Sequence, residues 1–195
     1  MKMTDIEKFF VNSRWNARRR IKYARTLLGF IKLEGELDCL EVGCGNGAVS
    51  RDFALSHDAR VVGIDLDLAQ VKLAREDSSA IPNLTFLVAD ATRLPFDDNR
   101  FNIVMSFQVM HHIANWLDAL GEIRRVLRPE GYFIYADIIY TEWLARLGRS
   151  FQHSYGITTM EDLNAFVRKN NFTKVHVSRR NSLMWYNFEA IYQSN

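Results

Sequence analysis

Leu37-Asp38-Cys39-Leu40-Glu41-Val42-Gly43-Cys44-Gly45-Asn46-Gly47-Ala48-Val49 is the stretch that decides how this chain folds. A largely apolar run reaches an acid, Glu41. Three glycines follow at alternate positions, and an amphipathic stretch opens at Ala48. That order reads as a strand, a tight turn and a helix start. Glycine has no Cβ, so Gly43, Gly45 and Gly47 let the backbone turn sharply and approach a ligand closely. The spacing is E-x-G-x-G-x-G, which differs from the G-x-G-x-x-G of dinucleotide-binding turns.

Outward from this turn, short apolar runs alternate with helical patterns. Strands are predicted at 37–42, 60–65, 84–89, 101–106 and 132–139, and helices at 48–55, 68–77 and 115–127. This is the βα repeat of a parallel sheet with helices on both faces. Arg128-Pro129-Glu130-Gly131 is expected to close the last helix, because proline cannot continue it and glycine suits a turn. Thr158-Thr159-Met160-Glu161 is a capping-box pattern for a helix running to about residue 170. Runs 174–178 and 183–192 are β-rich, with too little chain between them for a parallel crossover, so they should pair as an antiparallel hairpin. The segment 4–31 reads as helical. Thr4-Asp5-Ile6-Glu7 caps one helix, and Ile21, Ala24, Leu28 and Ile31 give a second its apolar face. Between 139 and 158 only a short segment is left to cover a site.

Asp65 ends the second predicted strand, about 20 residues beyond Gly43, where nucleotide-binding sheets place an acid on the ribose hydroxyls. A carboxylate suits a vicinal diol because it only accepts and the diol offers two donors. Leu66 is placed to pack on a base, and Asp67 to cap the helix that starts near Leu68. Ser106-Phe107-Gln108-Val109-Met110-His111-His112-Ile113 follows the fourth strand. Adjacent histidines point in different directions and no carboxylate pair accompanies them, so no metal centre is expected. No Cys/His spacing has the form of a zinc site.

Read in order, the 41–47 turn, Asp65, Asp90 at the end of the third strand, Leu94-Pro95-Phe96 before Phe101-Asn102-Ile103-Val104, and Arg125-Val126-Leu127-Arg128-Pro129-Glu130-Gly131 resemble the motifs of the class I S-adenosylmethionine-dependent methyltransferases of small-molecule type. The resemblance covers about residues 37–139. It implies an α/β, Rossmann-like three-layer sandwich. The seven-stranded sheet would be mostly parallel with an antiparallel C-terminal hairpin, and helices would cover both faces. Residues 1–195 would form one domain, with an N-terminal helical lid (1–36), a cofactor-binding core (37–139) and a C-terminal helix and hairpin (140–195). The implied cofactor is S-adenosyl-L-methionine, with S-adenosyl-L-homocysteine as product. Its implied contacts are Glu41, Gly43, Cys44, Gly45, Asn46, Gly47, Asp65, Leu66, Asp90, Ala91, Phe107 and Gln108. Asp90 would accept from the adenine amino group, and the Ala91 backbone would read the ring edge. Phe107 and Gln108 would lie against the methionine end. Asn102 and Glu130 depart from the Asp and Gly usual in the family. The chemistry is an in-line displacement on an already electrophilic methyl, so positioning comes first and a base is needed only for a protonated nucleophile. Candidate bases are His111, His112 and Asp137, with His153 behind them.

Bulk properties narrow the partners. The chain has 195 residues, 48% of them hydrophobic, and a net charge of +2. That is enough for one sizeable core and too balanced for a strong global field toward nucleic acid. No apolar run approaches the length of a membrane span, and the N-terminus turns polar too early for a secretory signal. Cys39 and Cys44 sit on one strand–turn unit, poorly placed to bridge, and reduced thiols suit a cytoplasmic protein. Arg18-Arg19-Arg20, with Arg14, Lys22 and Arg25, reads first as a solvated helix face; its functional alternatives are a contact to RNA or to an anionic small substrate, or, with the helix from Trp15 to Arg25 lying over the cofactor's methionine end, to the cofactor carboxylate. No Asn/Asp-Pro-Pro-Tyr segment follows the fourth strand and no Pro-Cys pair is present, against amino methylation of DNA and cytosine C5 methylation. A small-molecule acceptor is therefore favoured over RNA or protein. The readings from other classes are a non-catalytic cofactor-binding module and a nicotinamide-dependent dehydrogenase, the latter disfavoured by the glycine spacing and the hairpin.

Overall fold

All six residues of β1 (Leu37–Val42) are buried. A strand covered on both faces belongs at the centre of a parallel sheet, and β1 is central. It pairs in parallel with β2 (Ala59–Asp65) on one side and with β4 (Phe101–Phe107) on the other. The structure is a computed structural model that describes residues 13–151, 156–181 and 185–195. Among these the sheet has seven strands, in the order β3-β2-β1-β4-β5-β7-β6. The remaining strands are β3 (Leu84–Val88), β5 (Leu127–Tyr140), β6 (Phe172–Asn181) and β7 (Trp185–Ser194). The first five are parallel, while β7 pairs antiparallel with both β5 and β6. The expected architecture is thus the observed one.

Strand alternation divides the core in two. Leu37, Cys39, Ile103, Met105, Ile134 and Ala136 face one cluster, and Leu40, Val42, Val104, Phe133 and Tyr135 face the other. The first cluster is covered by α1 (Arg14–Leu28), α2 (Ala48–Ser56) and α3 (Leu68–Glu76), the second by α4 (Trp116–Val126) and α6 (Met160–Lys169). α5 (Glu142–Phe151) lies between β5 and α6 in the chain.

Several boundaries differ from the sequence reading. α6 is capped by Thr159, not Thr158. The Thr159 hydroxyl accepts from Asp162 N and donates to the Asp162 carboxylate, which also accepts from Thr159 N, so the reciprocal box is shifted by one residue. Residues 128–131 do not form a separate turn after α4. They run as the start of β5, with Leu127 opposite Phe101 and Glu130 in the left-handed region at φ 63°. The segment after residue 139 holds a helix, α5, that the short apolar runs did not announce. The Thr4 cap lies outside the described residues, as does His153.

Asn102, the departure from the family's Asp, sits at the strand ends remote from the glycine turn. Its Oδ1 accepts from Asp38 N and from an Arg128 guanidinium N–H, both at 2.8 Å.

Candidate cofactor and active site

The order of strands reverses between β1 and β4, and open α/β sheets bind ligands beyond the carboxyl ends of the strands at such a switch. A cavity of about 740 Å³ lies there. Its wall comes from the ends of the first four strands: Gly43 and Gly45 after β1, Asp65 to Asp67 at β2, Ala89 to Thr92 after β3, and Phe107 to Val109 at β4. Asn16, Arg19 and Arg20 of α1 and residues 111–115 complete it.

The first turn is shaped by positive φ. Gly43 sits at φ 71°, and a Cβ built on it would lie 2.2 Å from Val109 Cγ2, so only glycine fits between the turn and the β4 loop. Gly43 N and Cys44 N both donate to Ile64 O, at 2.8 and 2.9 Å, which ties the turn to the end of β2. Asp65 then fixes its tip. Its Oδ2 accepts from Gly45 N and its Oδ1 from Asp67 N, each at 2.9 Å. Each oxygen keeps capacity for a further donor. Burial pushes the Asp65 carboxyl above its usual range, and the two backbone N–H groups pull partly against that. Asp67 Oδ1 accepts from Ala69 N at 2.8 Å and caps α3, as expected.

Of the residues singled out in the sequence, Gly43, Gly45, Asp65, Leu66, Asp90, Ala91, Phe107, Gln108, His111 and His112 meet on the cavity wall. Leu66 is 57% exposed there, an apolar side chain held open to the space. Asp90 Oδ1 accepts from Thr92 N and Oγ1 at 2.8 Å. Gln108 holds φ 58° and donates its N–H to Ala136 O. Glu41, Cys44, Asn46, Gly47 and Asp137 stand behind the wall. Glu41 is fully buried, and its Oε2 accepts from Ser50 N and Oγ, at 2.9 and 2.5 Å, pinning the first turn of α2. Burial raises its carboxyl, opposed by Arg20, whose guanidinium reaches to 3.7 Å from Oε1. Burial also raises the Cys39 and Cys44 thiols, so both are inert apolar groups rather than nucleophiles. Asp137 is buried beneath the 108–112 loop and bonded to His111.

The chain is similar in sequence and in fold to known proteins. Residues 40–135 match the family model described as a methyltransferase domain. The matched stretch is just under half of the chain and runs from within β1 to the middle of β5. The chain is 39% identical over 105 residues to the phthiotriol/phenolphthiotriol dimycocerosates methyltransferase of Mycobacterium tuberculosis, a match covering 53% of this chain and 38% of that protein. It is 30% identical over 116 residues to the 27-O-demethylrifamycin SV methyltransferase of Amycolatopsis mediterranei, covering 58% and 43%. The chain thus spans less than half the length of these curated relatives. Among solved structures, its fold is similar to geranyl diphosphate C-methyltransferase from Streptomyces coelicolor A3(2), solved with Mg2+, geranyl diphosphate and S-adenosyl-L-homocysteine. The TM-score is 0.76 at 13% identity, over 91% of this chain and 80% of that one. The [4+2]-cyclase SpnF is equally similar in fold, with a TM-score of 0.76 at 18% identity, over 94% and 83%.

Of the arginine run, Arg19 and Arg20 reach the cavity wall, where a contact to a cofactor carboxylate or an anionic acceptor is the alternative to a solvated face, and Asn16, which the sequence did not single out, joins them. Their i, i+3, i+4 spacing was the available signal, since it puts all three on one helical face. The arginine run is divided in use. Arg19 lies 5.3 Å over the Trp15 ring, Arg20 turns in toward Glu41, and Arg25 pairs with Asp52. α1 is fixed at its far end by Ala24 and Leu27 in the core. The Tyr23 hydroxyl donates to Glu189, and its ring meets Phe107 edge-on at 6.2 Å. Among the described residues no group of three or more His, Cys, Asp or Glu could hold a metal ion, and no helix is long and apolar enough to cross a membrane.

Proposed function

We propose that this chain is an S-adenosylmethionine-dependent methyltransferase acting on a small-molecule acceptor. The observation that carries the reading is Asp65. Its carboxylate lines the switch-point cavity, accepts from the glycine turn (Gly45 N) on one oxygen and from Asp67 N on the other, and offers the remaining sites to a diol. The rest of the wall suits the other parts of the cofactor. Leu66 and Ala91 supply apolar contact for a base, and Asp90 an acceptor at its edge. Phe107 and Gln108 lie toward the middle of the sheet, where a methionine end would extend. Arg19 and Arg20 supply cationic donors for a carboxylate. A volume of about 740 Å³ falls within the range of small-molecule sites.

Bound there, S-adenosylmethionine would supply a methyl group already activated by its sulfonium. The protein's part is to hold an acceptor atom in line with that methyl and to exclude water. Asn16, Arg19 and Arg20 of α1 and residues 111–115 supply the part of the wall that does not come from the strand ends. Support for a small acceptor comes from the size of the cavity and from relatives whose names specify discrete molecules rather than polymers. The nicotinamide reading loses on the observed hairpin as well as on glycine spacing.

The test is calorimetry with S-adenosylmethionine, S-adenosylhomocysteine and NAD in parallel. Binding of either of the first two at micromolar affinity or better, about −8 kcal/mol, is the expected result. Stronger binding of NAD would overturn the reading.

A further inference from the structure

Asp137 is a buried carboxylate in which both oxygens are fully engaged. Its Oδ2 accepts from Val109 N at 3.0 Å and Met110 N at 2.7 Å, while its Oδ1 accepts from Ile138 N at 2.7 Å and stands 2.5 Å from His111 Nδ1. The Asp137 side chain has no solvent exposure, and that of His111 has 15%. A carboxylate that only accepts requires a hydrogen on Nδ1. That hydrogen fixes the neutral imidazole as the tautomer whose Nε2 carries a bare lone pair. His111 is on the cavity wall, and its Nε2 takes no partner among the described residues. The ring is held from the backbone side too. His111 O accepts from Gly156 N at 3.1 Å, where a Cβ on Gly156 would strike Met110 O at 2.1 Å, so the strand-side segment clamps directly onto this turn.

We propose that His111 is the catalytic base, that Asp137 is the residue positioning it, and that the acceptor class is therefore a hydroxyl. The proposal rests on the reading of the cavity as a methyl-transfer site. A carboxylate acceptor arrives ionised, and an amine bound in its neutral form attacks through its lone pair, so neither needs a proton removed as the bond forms. A neutral hydroxyl oxygen is a weak nucleophile and does need it. In the step, the acceptor oxygen bonds to the methyl carbon. The carbon–sulfur bond breaks with its electron pair left on the departing thioether sulfur. The O–H proton passes to His111 Nε2, the resulting imidazolium is balanced by Asp137, and its proton is later released to water. This is the geometry in which an orienting acid holds a base in one tautomer without itself taking the proton.

The experiment has two readouts on the intact chain saturated with S-adenosylhomocysteine or S-adenosylmethionine. First, nitrogen-15 imidazole spectra of the S-adenosylhomocysteine complex at pH 7.5, with His111→Ala used to assign the signal, read the tautomer whether or not any acceptor turns over. The expected result is a protonated Nδ1 and a bare Nε2. The opposite tautomer, or a hydrogen on both nitrogens, overturns the proposal. Second, S-adenosylhomocysteine formation is followed with parallel panels of phenols and alcohols, amines, thiols and carboxylates. Turnover is expected in the hydroxyl panel. His111→Ala should lower kcat there by about 10²- to 10⁴-fold and remove the limb of the pH profile that depends on a single deprotonation. Turnover confined to another panel, or a pH profile identical in His111→Ala, overturns it. A merely structural His111 would shift the melting temperature and leave the profile alone. Failure of the wild-type chain to bind S-adenosylhomocysteine is a different result, and it would overturn the cofactor reading itself.

Discussion

Replacing Asp65 tests the cofactor site where its geometry is most explicit. In the wild-type chain each carboxylate oxygen takes one loop N–H, from Gly45 or Asp67, and each retains an acceptor site facing the cavity. In Asp65→Asn one oxygen becomes an NH2 group. Whichever way the amide sits, that group meets a backbone N–H donor to donor, so one loop bond and one ligand bond are lost together. A hydrogen bond to a charged group contributes about 1.5–3 kcal/mol. Affinity for S-adenosylhomocysteine should therefore fall about 10- to 150-fold in Asp65→Asn, and about 10²- to 10⁴-fold in Asp65→Ala, which loses both ligand bonds. The assay is calorimetry at pH 7.5, with circular dichroism checking that each variant is folded. The pH dependence adds a second check. Burial raises the Asp65 carboxyl, so on acidification it should take up its proton earlier than a free Asp and weaken wild-type binding, while Asp65→Asn lacks that step. A folded Asp65→Ala whose dissociation constant stays within about threefold of wild type would refute the assignment, since a single lost bond of ~1.5 kcal/mol already exceeds that.

Other perturbations follow from the same contacts. Gly43→Ala forces a left-handed alanine whose Cβ meets Val109. It should lower unfolding stability by about 2–5 kcal/mol, and Val109→Ala in the same chain should recover the steric part; a double variant no more stable than Gly43→Ala would remove the steric argument. Glu130→Gly relieves a left-handed non-glycine residue and should stabilise by up to about 1 kcal/mol in thermal or urea unfolding, whereas a loss of stability would mean the Glu130 side chain matters more than its backbone. Glu41 and Asp65 are both raised by burial, so the folded chain takes up their protons before the unfolded chain does. Ligand-free stability should thus increase as the pH falls from 7 toward about 5, then decline below about 4 as Asp38 and Glu122, held down by Arg60 and Arg125, lose their charge. Glu41→Gln should flatten the first limb in pH-dependent urea melts. Hydrogen exchange should slow on adding S-adenosylhomocysteine at residues 16–20 of α1, which face the cavity, and change little at residues 24–28, which are already packed. Equal protection of both segments without ligand would make α1 plain scaffold.

The sequence alone carried the order of elements, because that order is written in local chemistry. The run Leu37 to Val42 is apolar enough to be covered on both faces, glycines at 43, 45 and 47 mark the turn, and Asp67 caps the helix that follows. Both runs of the C-terminal hairpin were legible because the chain between them is too short for any other pairing. Local chemistry also misled where two residues could do the same work. Thr158 and Thr159 are both competent caps, and only the fit of Asp162 against the second decided between them. Pro129 and Gly131 read as a turn, yet pairing with β4 drew Leu127 onward into the sheet, since a strand edge beside a buried strand satisfies backbone groups that a free turn would leave to water. The site shows the same division. Asp65 and Asp90 could be named from their places at strand ends, because a parallel sheet delivers every strand end to one edge. That Glu41 lies behind the wall against Ser50 and Arg20 needed the packed structure, because motif position does not say which way a buried acid turns. Nor could spacing reveal that Asp137, on a strand 26 residues after His111, lies directly behind that histidine. Contacts between residues far apart in sequence depend on how the sheet orders its strands, and that order is a property of the whole packed core.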